Sequence, residues 1–186
     1  MCRPDRSIEV WRDRTVFRLA RSGALPYTPA VSDSYDDKVA SLSAEKAMAI
    51  GIYGESVASY RYRVLAEKVS NETLKSVFLE MADEENGHHQ ILQEILDKEY
   101  PGSDFVLTPE DKDLIIVGPR MLDISDAASI DRALKMIHDS ERLTGRFYGA
   151  LHKFTEVESL KPMLAEMSQE CFDHAAKLLD LDTAAE

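Results

Sequence analysis

The chain has 186 residues, 44% hydrophobic and 30% charged, with a formal net charge of −12. That length suffices for one domain with a sizeable core, and the acid excess excludes non-specific nucleic-acid binding, which needs a basic face. The two cysteines, Cys2 and Cys171, form no CxxC pair, which excludes a zinc ribbon or a rubredoxin-type iron site, and two isolated cysteines make no disulfide scaffold. No apolar run reaches the ~20 residues of a membrane span, and no apolar core of a secretory signal is present, so the expected compartment is the reducing cytoplasm.

Residues 1–21 carry six arginines against Asp5, Glu9 and Asp13, which makes this piece about +3 and the remainder about −15. The acidic residues count against a targeting peptide. The segment reads as an extension or short helix, with Trp11 and Phe17 packing on the body or on a partner. LPYTPAVSDSYDD (25–37) reads as a linker. Residues 1–40 are thus expected to form an Arg-rich extension and linker, and residues 41–182 the folded domain.

Four helices are predicted, over roughly 43–68, 71–98, 126–154 and 156–181. Ser70 or Asn71 supplies an N-cap for the second. Thr155-x-x-Glu158 has the capping-box pattern for the fourth, although Pro162, at home in a first turn, allows a later start. The short connections between the first and second helices, and between the third and fourth, imply antiparallel hairpins. The 27 residues of 99–125, broken by Pro101-Gly102 and Gly118-Pro119, are long enough to run the length of a bundle. The fold class is therefore all-α, a four-helix bundle of two hairpins joined by a long crossover.

Each helix carries one stripe at alternating steps of four and three, the spacing of an inward face. On the second helix it runs Leu74, Phe78, Met81, Glu85, His88, Leu92, Ile95. On the fourth it runs Leu160, Leu164, Met167, Cys171, His174, Leu178, Leu181. The first contributes Ala44, Met48, Gly51, Glu55, Ala58, Tyr62 and Leu65, and the third Ile130, Leu134, Ile137, Glu141, Thr144, Tyr148 and Leu151. All four stripes are apolar except near the centre, where Glu55, Glu85 with His88, Glu141, and Cys171 with His174 fall at one level. Burying an unpaired carboxylate is costly, and three together repel; a bound cation removes both problems. The halves also repeat at an offset of 86 residues: Glu55 maps to Glu141, Tyr62 to Tyr148, Glu84 to Glu170, and His88 to His174. The register breaks at one ligand position, where Glu85 faces Cys171. His138, one turn before Glu141, is a reserve ligand. His89 and His152 read as surface or rim, and the two tyrosines as core residues with satisfied hydroxyls.

Carboxylates with two imidazoles suit iron or manganese better than a structural zinc. Glu55 with Tyr62, the run ADEENGHH with Glu85 and His88, Glu141 with Phe147-Tyr148, and His174 together resemble the rubrerythrin-like branch of the ferritin-like superfamily, over about residues 41–180. The resemblance implies a ferritin-like bundle with two irons per chain, manganese or zinc being alternatives. It implies Glu55 and Glu141 as terminal ligands, Glu85 as a bridge, and His88 and His174 each on one metal. It implies reaction of Fe(II) with hydrogen peroxide or dioxygen, in oxidative-stress defence or iron handling, as a non-haem peroxidase or ferroxidase. A homodimer is implied too, with no nucleic-acid or membrane partner.

The sequence departs from that pattern in three places. Cys171 stands where the family has a second bridging Glu, which leaves three readings open: Glu170 substitutes through a local helix bulge, Cys171 ligates as thiolate, or the second site is degraded. Thr144 stands where rubrerythrins carry an extra Glu. No rubredoxin-like segment accompanies the bundle, so electrons would come from a separate donor. The contrasting expectations are a four-helix interaction or scaffold protein with a degraded metal site, docking a partner through its Arg-rich segment, and a mononuclear metal-binding protein without turnover.

Overall fold

A computed structural model describes residues 35–181. The Arg-rich segment, with Trp11, Phe17 and Cys2, and most of the expected linker lie outside them. The linker stops short of Asp37, because Tyr35–Ala40 is a helix, α1. It is held to the bundle by Tyr35, whose hydroxyl donates to the Leu114 carbonyl at 2.5 Å while Arg146 lies over its ring.

The bundle helices are α2 (Ala44–Lys68), α3 (Glu72–Glu99), α5 (Ala127–Phe154) and α6 (Lys161–Asp180). Among the described residues there is no strand. Each start has a local cause. The Ser43 side chain accepts from the Lys46 N–H, Asn71 from the Thr73 and Leu74 N–H groups, and Asp126 forms a reciprocal capping box with Ser129. The capping box expected at Thr155 does not form. Thr155 instead closes α5, a single 3-10 turn follows at Glu158–Leu160, and α6 begins at Lys161 with Pro162 in its first turn. Proline lacks the N–H that a first turn leaves unused, so the later start suits it. Among the described residues no helix is long and apolar enough to cross a membrane.

The crossover runs beside α2 from its start to its end. Asp111, in the short helix α4 (Pro109–Lys112), pairs with Lys46 at 2.7 Å. Further along, the Thr144 hydroxyl donates to the Ile115 carbonyl at 2.9 Å. Ile124 then joins a packed core with Tyr62, Leu65, Phe78, Leu134, Ile137 and Leu178. The crossover can lie this close because Gly54 has no side chain; a Cβ there would meet Ile115 Cδ1 at 2.6 Å. Ile115 is fully buried and has no room to retreat. Gly54→Ala is therefore expected to destabilise the protein by about 1–3 kcal/mol through overpacking, read as a lower melting temperature.

Candidate metal centre

The helical stripes bring five side chains to the middle of the bundle. Glu55 comes from α2, Glu85 and His88 from α3, Glu141 from α5 and His174 from α6. Glu85 and His88 share a face because residues three apart on a helix are neighbours. Their possible ligand atoms form two groups, Glu55–Glu85–His88 and Glu85–Glu141–His174, within each of which all lie within 4.8 Å of one another. Glu85 belongs to both. His88 Nδ1 lies 3.3 Å from Glu85 Oε2 and 3.6 Å from Glu55 Oε2. His174 Nδ1 lies 2.6 Å from Glu85 Oε1 and 4.0 Å from Glu141 Oε2. Each carboxylate oxygen of Glu85 thus faces a different imidazole.

Around this centre the contacts cross from one hairpin to the other. His88 Nε2 is 2.8 Å from Glu170, and His174 Nε2 is 2.8 Å from Glu84. The Tyr62 hydroxyl donates to Glu141 Oε1 at 2.7 Å, and the Tyr148 hydroxyl donates to Glu55 Oε1. The offset of 86 exchanges each of these pairs with its counterpart. The tyrosines are, as expected, core residues with satisfied hydroxyls. Glu84 was missed as a partner of the site, although its correspondence with Glu170 is visible in the repeat.

Two residues offered as ligands fall outside both groups. Glu170 does not turn inward, because α6 stays a regular α-helix and the bulge that would aim it is absent. It holds His88 from outside, as Glu84 holds His174. Cys171 is buried at the position equivalent to Glu85, but its sulfur joins neither group. His138 pairs with Asp139 at 3.0 Å, His89 Nδ1 faces the Ile52 carbonyl at 3.2 Å, and His152 Nδ1 faces the Lys161 carbonyl at 2.9 Å, so all three lie off the centre.

The donors fit a metal. Glu55 Oε2, Glu85 Oε1 and His174 Nδ1 are buried and make no hydrogen bond. The last two are close enough for charge attraction but poorly aligned for a bond. Leaving such groups unpaired is costly, and each of the three belongs to one of the two ligand groups, Glu85 to both.

Protonation tells the same story. Burial first, and then the Glu85 carboxylate, push Glu55 up to about 8; the same two causes hold Glu141 well above the usual carboxylate range. At Glu85 burial opposes the charge, yet His174, His88 and Glu55 outweigh it and hold the group low. Burial also opposes a charged His174, but Glu84 and Glu85 push it up to about 10. His88 is raised in the same way, by Glu170, Glu55 and Glu85 acting against burial. Burial, then Glu141, Glu55 and Glu85, raise the Cys171 thiol well above its ordinary value. Protons therefore stand where cationic charge belongs. A metal must displace them, so uptake should release protons and tighten as pH rises towards about 8, where Glu55 loses its proton, and on towards about 10, where His174 does, checked by metal titration with a pH indicator.

Comparison with known proteins places the chain. Residues 46–182 match the family model for rubrerythrin. The chain belongs to the rubrerythrin family. Membership supports a carboxylate-bridged di-iron type of protein and implies iron binding, in agreement with the carboxylate–imidazole groups. Among solved structures it resembles a hypothetical protein from Pyrococcus furiosus, at 24% identity and a TM-score of 0.63, covering 78% of this chain and 96% of that one. This likeness shows the fold alone. No curated protein matches the chain. The rubrerythrin resemblance read from the ADEENGHH run and its repeat is thus borne out, as is the all-helical bundle.

Proposed function

We propose that this rubrerythrin-family chain binds two irons and uses them to reduce dioxygen or hydrogen peroxide, in iron handling or oxidative-stress defence. The observation that carries the reading is Glu85, which is shared between two ligand groups in which Glu55 Oε2, Glu85 Oε1 and His174 Nδ1 make no hydrogen bond. Glu55 and His88 would hold one ion, Glu141 and His174 the other, and Glu85 would bridge them. When bound as Fe(II), the pair supplies two electrons, which with two protons convert peroxide to two waters or dioxygen to peroxide.

The chain's own residues do the rest. Tyr62 and Tyr148 fix the rotamers of Glu141 and Glu55. Glu84 and Glu170 hold the Nε2 side of each imidazole, so that Nδ1 faces inward. The crossover covers the α2–α5 side, where Thr144 binds the Ile115 carbonyl instead of offering a carboxylate. Electrons would come from a separate donor, in the reducing cytoplasm, and the protein would work as a homodimer.

The test is anaerobic loading with Fe(II), metal analysis by mass spectrometry, then addition of dioxygen or peroxide. Two irons per chain and a new ferric band in the near-ultraviolet are expected. One iron or none, with no spectral change, overturns the reading in favour of the degraded centre that Cys171 would mark. A companion prediction concerns the outer carboxylates. Glu84→Gln and Glu170→Gln should each weaken iron binding about 10–100-fold with little change in helix content, checked by competitive metal titration and circular dichroism.

A further inference from the structure

A partly open pocket of about 50 Å³ lies at the end of the bundle where α2 begins and α5 finishes. Its walls include Ala44, Met48, Leu92, Leu164, Thr155 and Tyr148. The internal repeat shows why it is there. The offset of 86 carries each of its lining residues to a position in, or packed against, the core cluster at the opposite end. At that end Ala44 is replaced by Ile130 and Leu164 by Phe78; nearby, Ile137 corresponds to Gly51. One end of the bundle is filled with large side chains; the other carries smaller ones and stays hollow.

The two tyrosines differ accordingly. Tyr62 stacks on Phe78, with ring centroids 6.3 Å apart, inside a filled core. Tyr148 forms a wall of the pocket, and its hydroxyl binds Glu55, so it is the layer between pocket and metal centre. Gly51 lets it lie there, since a Cβ would stand 3.1 Å from the Tyr148 hydroxyl and 3.0 Å from Leu92 Cδ1.

We propose that this pocket binds dioxygen and that Tyr148 is the residue past which it reaches the metal centre. The pocket is too small for an organic substrate. No charged side chain lines it, and the Tyr148 hydroxyl is engaged with Glu55. The pocket opens to its surroundings past the partly buried Ala44, Leu151 and Thr155, but the buried, apolar side chains in its depth offer water few partners and favour a small apolar guest. Hydrogen peroxide, which needs hydrogen-bond partners throughout, is poorly matched to it. The use made of the gas rests on the di-iron reading; its binding does not.

Xenon is the probe, applied to metal-free full-length protein in pressurised crystals. Xenon density against Tyr148 is expected in the native chain. It should vanish in Ala44→Ile/Leu164→Phe, which installs the residues of the filled end, with Ala44→Ile alone in reserve should the double variant fail to fold. After ferrous loading, the filled variant should react with dioxygen about tenfold more slowly and with hydrogen peroxide at the native rate. No xenon in the native pocket overturns the proposal, as does equal slowing towards both oxidants or no slowing at all. If the native chain takes up no iron, the di-iron reading fails instead, and the xenon density alone decides whether the pocket is a gas site.

Discussion

Glu85→Gln is expected to abolish both metal sites at once, whereas Glu55→Gln and Glu141→Gln should each remove only one. Glutamine keeps the length and shape of the side chain but carries no charge and cannot bridge two cations as a carboxylate does. Glu85 is the only residue common to the two ligand groups found among the described residues, so its loss takes a ligand from both. Glu55 and Glu141 each serve one group. Metal-free Glu85→Gln should also be less stable by about 1–3 kcal/mol, because the buried His174 and the partly buried His88 lose their shared anionic partner. Metal per chain by mass spectrometry and melting of the metal-free forms check both statements. A Glu85→Gln protein that keeps even one tightly held metal would falsify the bridging assignment.

Arg61→Ala should cost the fold about 2–5 kcal/mol, through lost charge-assisted hydrogen bonds and a core cavity, and leave the crossover loose. Arg61 is almost wholly buried and lies on α2, outside the metal stripe. Its guanidinium donates to the Ser140 hydroxyl at 2.8 Å, the Val117 carbonyl at 2.8 Å and the Pro119 carbonyl at 2.7 Å. One charged side chain thus ties α2, α5 and the returning chain together. Truncation removes the donors, leaves the Pro119 carbonyl without Arg61 and the Val117 carbonyl with only its long contact to the Ser140 hydroxyl, and opens a cavity where the side chain stood. Thermal or denaturant unfolding should show the loss, and amide exchange should rise over residues 115–118. Arg61→Lys should recover little, since an ammonium cannot reproduce the planar fork that reaches three acceptors.

The helices and the ligand level were legible because periodicity reports burial. A stripe apolar except for Glu55, Glu85, His88, Glu141 and His174 can be read from spacing alone, and the repeat made chance coincidence a poor explanation. Contacts that depend on side-chain reach were not legible. Four-residue spacing to His174 left Glu170 open as a ligand through a helix bulge, beside Cys171 ligation and a degraded site, but an unbroken helix carries Glu170 to His88 on α3 instead. Arg61 gave no signal at all, since its partners are two backbone carbonyls and a serine far along the chain. Thr155 misled because a capping pattern is a local motif, and here Pro162 and the 3-10 turn decided where α6 begins.

The absence of a carboxylate at Cys171 ranks the two halves of the centre. The first hairpin owns a complete trio, Glu55, Glu85 and His88, on α2 and α3 alone. The second hairpin brings Glu141 and His174 and must borrow Glu85. Under the di-iron reading, the ion held by the first trio can be seated as soon as that hairpin closes. Its neighbour waits until the two hairpins have docked. Filling therefore has an order, and occupancy of the borrowed half becomes a gauge of how firmly the hairpins are joined.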